Sequence, residues 1–207
     1  MIIETKNIRF EGNNYSEDWK REAQRRGLPN EPSTPGALKA LVKEDTMAVF
    51  EKYKVFAREE LRARYHIWLE GYNKVLEIEA QTLNEMVNSS IVPNAFDYQG
   101  ALSRNLSRLC ELKEKQGMKC SDESLNDLKD HLADVTEKIY YVRKNSRSMM
   151  KFLEETGGAD LETKAKRYFE ELKPLMEHIR RHADMLETVI SDEHWDLPKY
   201  REMLFVK

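Results

Sequence analysis

His178 and His182 stand four residues apart, so on a helix their imidazoles share one face, a spacing that can hold a metal ion. No third ligand accompanies them, and no Glu-x-x-His pair occurs in the chain, which removes the di-iron bundle pattern. The pair therefore reads as a solvated face beside Arg180 and Arg181. Residues 138–151 (KIYYVRKNSRSMMK) set Lys138, Arg143, Lys144, Arg147 and Lys151 among two tyrosines and no acid. Such a run is either the solvated back of a helix, neutralised by acids on neighbouring helices, or a face that binds phosphate or nucleic acid. Glu79 is placed by helical spacing at the centre of an apolar sector formed by Leu61, Tyr72, Leu76 and Leu83. A carboxylate there has to be paired or strongly perturbed, so the expectation is a buried Glu79 with a cationic or hydrogen-bonding partner from residues 1–57. Gly-rich phosphate loops, nucleophile elbows and zinc knuckles are missing from the sequence. No catalytic, cofactor-binding or metal-ligating residue is assigned.

The elements that would position these groups are helices. Residues 58–116 predict one very long helix, bent at Pro93 and roughly 90 Å from end to end at 1.5 Å per residue. Leu61, Tyr65, Trp68, Tyr72, Leu76, Leu83 and Met86 recur at helical spacing, and a second row of Ile67, Gly71, Val75 and Ile78 lies beside them. Two rows cover more of the circumference than an ordinary surface helix needs, which implies packing on two sides. The rest of the chain offers a partner for one. Ser121 caps a second helix over residues 122–156, whose Leu125, Leu128, Leu132, Val135, Ile139, Val142, Ser146, Met149 and Leu153 step by three and four. Asp160 caps a third over residues 160–190, with Pro174 inside it as a local bend. Short connections make consecutive helices antiparallel neighbours. Upstream, Ser16 starts a short helix that Gly27 stops, and Thr34-Pro35 starts two more. Residues 1–15 look like the tail of a strand-like element whose beginning is missing. The predicted fold is all-α: a long Pro-bent helix with two antiparallel helices folded back on it, short N-terminal helices, and a C-terminal aromatic tail. Three parts follow: 1–57 docking on the long helix, 58–190 as the bundle, and 191–207 as a docking tail.

Composition agrees with helices and excludes several classes. Eight Gly and six Pro in 207 residues leave few breaks, and 34% of residues are charged. A chain of this length can bury about 70% of its unfolded surface. The net charge is −3, which leaves no broad electrostatic footprint for nucleic acid or an anionic membrane. Cys110 and Cys120 form neither a disulfide framework nor a metal-type spacing, in keeping with a reducing, cytoplasmic setting. No apolar run approaches the ~20 residues of a membrane span.

Four stretches carry a family resemblance: EGNNYSEDWKREAQRRGLPN (11–30) with STPGAL (33–38), EELRARYHIWLE (59–70), IEAQTLNEMVNSSIVPNA (78–95) and WDLPKYREMLF (195–205). With these the sequence resembles the C-terminal region of type III glutamine synthetases, in one register along essentially the whole chain. Gly36 and Gln81 are mild departures from the pattern. The resemblance implies a parent enzyme that ligates ammonia to glutamate with ATP and a divalent metal such as magnesium, in sites between the subunits of a ring-shaped homo-oligomer. It also implies that the catalytic barrel and its metal, nucleotide and glutamate motifs precede the matched region, so no catalytic residue is carried over. The expected role is structural packing without catalysis, as a truncated part of that enzyme. Its expected partners are the N-terminal catalytic portion and neighbouring subunits, with no nucleic acid and no membrane. A freestanding helical scaffold that binds a protein through the long helix is the alternative.

Overall fold

The computed structural model describes residues 10–204, and among them every regular element is helical. The strand-like reading of the N-terminus falls mainly on residues 1–9, outside the described residues. Two compact units divide the chain, Met1–Trp68 and Leu69–Lys207. The division lies inside a helix, downstream of the boundary at residue 57 that the sequence suggests.

In the first unit, α1 (Glu17–Arg25) begins where the Ser16 hydroxyl accepts the Trp19 N–H, with Glu17 and Asp18 favourably placed at the positive end of the helix dipole. Glu22 accepts hydrogen bonds from Arg25 and Arg26, which hold its carboxyl down at about 2. Gly27 then takes a positive φ of 70°, a conformation that costs glycine little, and ends the helix. The cap of α2 (Thr34–Leu38) is Ser33, one residue before the expected Thr34, and its hydroxyl accepts the Gly36 N–H. A 3₁₀ turn (Lys39–Val42) leads into α3 (Glu44–Lys52). Arg58, at the start of α4 (Arg58–Met86), ties back to Glu44 and Glu51 of α3 at 2.7 and 2.8 Å. Among the described residues of this unit, Ala23, Pro35, Met47, Leu61 and Tyr65 are buried.

The second unit holds the larger core. α4 passes through a π-helical turn (Val87–Ile91) into α5 (Val92–Gln116), which Gly117 ends in a left-handed cap. Ser121 caps α6 (Asp122–Thr156), and Asp160 caps α7 (Leu161–Arg167), each side chain accepting backbone N–H groups of the first turn. A second π turn (Tyr168–Leu172) joins α7 to α8 (Lys173–Val189). The two long segments after α5 fold back as antiparallel neighbours, α6 on α5 and α8 on α6.

Pro93 and Pro174 neither end nor interrupt their helices. A proline inside an α-helix lacks the N–H for the carbonyl four residues back, and its ring collides with that carbonyl. Here each proline sits two residues after a π turn. Val92 donates to the Val87 carbonyl and Lys173 to the Tyr168 carbonyl, one residue further back than in an α-helix. The widened turn re-registers the backbone before the ring arrives. Both widened turns are also buried, at Val87, Ile91, Tyr168 and Leu172.

The α6 seam is buried at Leu125, Val135, Ile139, Val142, Ser146 and Met149, and half-buried at Leu128, Leu132 and Leu153. It meets Ile179, Ala183 and Leu186 of α8 and Leu76, Ala80 and Ala95 of α4 and α5 in one core. Trp195 is buried in that core, and Leu197 packs against it. After a 3₁₀ turn (Asp192–His194), Lys199 holds this segment in place through the Ile190 carbonyl and Asp192, both at 2.8 Å, before α9 (Tyr200–Met203). Residues 205–207, including Phe205 of the expected aromatic tail, lie outside the described residues.

Candidate functional site

The long helix faces inward on a different side from the one its apolar pattern suggests. Its buried positions run Leu61, Tyr65, Leu69, Asn73, Leu76, Ala80 and Val87. At about 100° per residue, the inward direction downstream of residue 69 is turned by roughly 70° from the sector centred on Glu79. Glu79 is exposed, which overturns the expectation of a buried ion pair with residues 1–57. It lines a shallow groove with Leu76, Leu83 and, from α8, Lys173, Met176 and Arg180. Burial, and then the charge of Glu79, hold the neighbouring Tyr72 phenol above its usual range.

The carboxylate that α4 does send inward is Glu77. It accepts hydrogen bonds from the Tyr168 hydroxyl at 2.7 Å and the Lys164 ammonium at 3.1 Å. Burial pushes the Glu77 carboxyl up, but the two hydrogen bonds and the charges of Lys164 and Lys74 outweigh it, and the group lies below the ordinary carboxylate range. Its counterpart moves the other way: burial first, then the bond to Glu77, lift Tyr168 to about 12. Beside them the buried Asn73 amide donates to the Leu161 carbonyl at 3.1 Å. These groups fasten α7 and the π turn after it to α4 across about 90 residues of chain, as a structural clamp.

In the larger unit, Val75 (54% exposed) and Ile78 (61%) of the second apolar row face away from the core, and Ile67 (63%) of the same row is exposed in the first unit. In the larger unit the row is therefore outward, opposite the packed face. An apolar strip of this kind, left uncovered among the described residues, is the usual mark of an interaction surface.

The histidine pair is not set up for a shared metal. His182 stacks on Tyr141 with ring centres 5.0 Å apart, and its Nδ1 meets the His178 backbone carbonyl at 2.7 Å, away from the His178 ring. Among the described residues no group of three or more His, Cys, Asp or Glu side chains could hold a metal ion. In the basic run, Lys138 pairs with Asp134 and Lys151 with Glu155, while Arg143, Lys144 and Arg147 stand exposed. Cys110 and Cys120 are free thiols. No helix among the described residues is long and apolar enough to cross a membrane.

Comparison with known proteins gives these surfaces a setting. The family model for the glutamine synthetase C-terminal domain matches residues 1–109, more than half of the 207. The chain belongs to the glutamine synthetase C-terminal domain family. It is 36% identical to a glutamine synthetase of Bacteroides fragilis over all 207 residues, and 29% identical to the type-3 glutamine synthetase of Dictyostelium discoideum over the same span. A glutamine synthetase of Butyrivibrio fibrisolvens is 28% identical over 99% of the chain. In each case the chain spans 28% of the relative's length. The residues that match the glutamine synthetase family take in α1 to α4 and most of α5. The Glu77 clamp therefore joins a matched helix to α7, which lies downstream of residue 109 but within the aligned length of the relatives.

Proposed function

We propose that this chain is the helical C-terminal part of a glutamine synthetase, whose parent reaction is the ATP-dependent ligation of ammonia to glutamate. Its own contribution is packing against the N-terminal catalytic portion and neighbouring subunits of a homo-oligomer in the cytoplasm. The observation that carries this reading is the outward row of α4. Val75 and Ile78 are exposed on a helix whose other face is already packed, so the helix is apolar on two sides and the described residues cover one. Relatives of which the chain spans only 28% supply enough further chain to cover the other.

Catalysis is assigned elsewhere in the parent enzyme. Ligation of glutamate and ammonia passes through phosphoryl transfer, which depends on metal ions and cationic groups clamping the nucleotide phosphates. The described residues do not fit a divalent metal, because no cluster of ligands is assembled. The experiment mixes the purified chain with a separately expressed catalytic portion of the same enzyme and measures association and glutamine formation. Association that Val75→Glu with Ile78→Glu abolishes is the expected result, together with no glutamine from the chain alone. Metal-dependent glutamine formation by the chain alone overturns the reading. A freestanding scaffold is the second reading, favoured by the same exposed row, and it predicts no association with the catalytic portion.

A further inference from the structure

A cleft of about 440 Å³ opens between α5 and α6, within the range of small-ligand sites. Its lining has two chemically distinct halves. Phe96 of α5 and Tyr140 of α6, 42% and 57% exposed, line it together with the buried Ile139. Arg143, Lys144 and Arg147 supply three cations along one side.

These cations are left over from the charge pairing of the helix. Arg143 and Arg147 are four residues apart, a spacing at which like charges repel on a helix face. The positions three and four residues away from each of the three, on both sides, hold no acid. Among the described residues none of the three makes an ion pair, although Lys138 and Lys151 at the ends of the same run do. Arg143 lies over the Phe96 ring at 5.4 Å and Lys144 over the Tyr140 ring at 5.8 Å, so the charges are held beside the aromatic faces. One carboxylate, Glu154, lines an adjoining hollow that Arg143, Arg147 and Lys151 share.

We infer that this cleft binds a small phosphorylated ligand carrying a flat ring, the chemistry of a nucleotide. Two guanidiniums one turn apart match the oxygens of a multiply charged phosphate group, and Lys144 adds a point charge beside them. The ring lies against Phe96 and Tyr140, where stacking is tolerant of ring identity. A chain with net charge −3 and a cation cluster confined to little more than one helical turn lacks the long basic track of a nucleic-acid surface. The site is separate from the parent reaction proposed above and does not depend on it, since it needs no metal and no transfer step.

The test uses the purified chain without magnesium, titrated calorimetrically with ATP, inorganic tripolyphosphate and adenosine at two salt concentrations. ATP is expected to bind at least fivefold tighter than tripolyphosphate, and adenosine at least tenfold weaker than ATP. Arg143→Gln with Arg147→Gln should weaken ATP tenfold or more while the thermal melt is retained, because both side chains are exposed. Lys115→Gln with Lys166→Gln, which removes lysines paired elsewhere, should leave ATP binding unchanged. Phe96→Leu should weaken ATP and leave tripolyphosphate as it was. Unchanged ATP affinity in the double arginine variant overturns the proposal, as does ATP binding no tighter than tripolyphosphate. Oligothymidylate binding that strengthens with length, or displacement of ATP by a poly-glutamate peptide at lower concentration, overturns it in favour of a macromolecular surface.

Discussion

Leu76 and Ile78 are two residues apart on α4, and their surroundings are opposite. Leu76 is 7% exposed and belongs to the central core, while Ile78 is 61% exposed. Hydrophobicity alone treats the two as equals. What separates them is that α6 and α8 cover one side of α4 and nothing among the described residues covers the other. The apolar pattern of this helix therefore extends beyond the face that the described residues pack.

A pair of alanine substitutions should separate the two sides of α4 by the widest margin. Leu76→Ala removes a buried side chain from a packed core and should cost about 2–4 kcal/mol in denaturant unfolding. Ile78→Ala, by contrast, removes only exposed surface and should change stability by less than about 0.5 kcal/mol. Equal costs for the two would mean that Ile78 is covered in the isolated chain in solution, and the outward row would no longer be a free face.

Alkaline titration of the Glu77 clamp should give the next largest effect. The Tyr168 phenol lies at about 12 in the folded chain, above an ordinary value near 10. A raised folded value means the contribution is complete below about pH 10, then is lost as the pH climbs towards 12. Over that window the unfolded state sheds its proton first, and stability should fall by roughly 2 kcal/mol. Tyr168→Phe should remove this part of the pH dependence. A variant that loses stability with the same alkaline slope as the parent chain would show that Tyr168 does not hold it.

Glu77→Gln should cost about 1 kcal/mol near neutral pH, since Lys164 loses its charged acceptor while Tyr168 keeps a neutral one. The sign with pH is opposite to that of Tyr168. The folded carboxyl lies below its ordinary value, so its stabilisation is present above about pH 4.3 and is lost as the pH falls through the folded value. Chemical denaturation from about pH 7 down to about pH 3 should therefore bring the parent chain and Glu77→Gln together. A gap that persists at the acid end would assign the cost to packing rather than charge.

Much of the fold was legible because it is written in local chemistry. Ser16, Ser121 and Asp160 cap helices where their hydroxyl or carboxylate can take first-turn N–H groups, and Gly27 and Gly117 end helices with a positive φ. The α6 seam was legible because its steps of three and four coincide with the positions that are buried or half-buried. The inward face of α4 was not, for two reasons. Its centre holds Asn73 and Ala80, which hydrophobic spacing passes over. Asn73 is tolerated inside because it finds the Leu161 carbonyl, 88 residues away, and no local pattern reports such a partner. The exposed Ile67, Val75 and Ile78 then pulled the apparent sector off its true axis. The π turns before Pro93 and Pro174 were equally silent, since proline says only that a helix must adapt and not how. Of the aromatic-basic cleft, the α6 side was visible as a basic run with two tyrosines, whereas Phe96 reaches it from another helix.

The smallest expected effect is at Glu79, and it tests the rotation of α4 most directly. If the helix sat as its apolar pattern suggests, Glu79 would be a buried charge, and Glu79→Gln would leave a partner unneutralised at a cost of several kcal/mol. With the face turned outward, Glu79 borders a shallow groove, exposed to water and across from Lys173 and Arg180. Interactions between exposed charges are weak and screened by salt, so Glu79→Gln should change stability by no more than about 0.5 kcal/mol. The same substitution should lower the ionisation point of Tyr72, because one of the two influences that raise it is the negative charge of Glu79. Ultraviolet titration of the tyrosines in both chains would detect that shift. A stability loss above about 2 kcal/mol would return Glu79 to the interior, and with it the first apolar row.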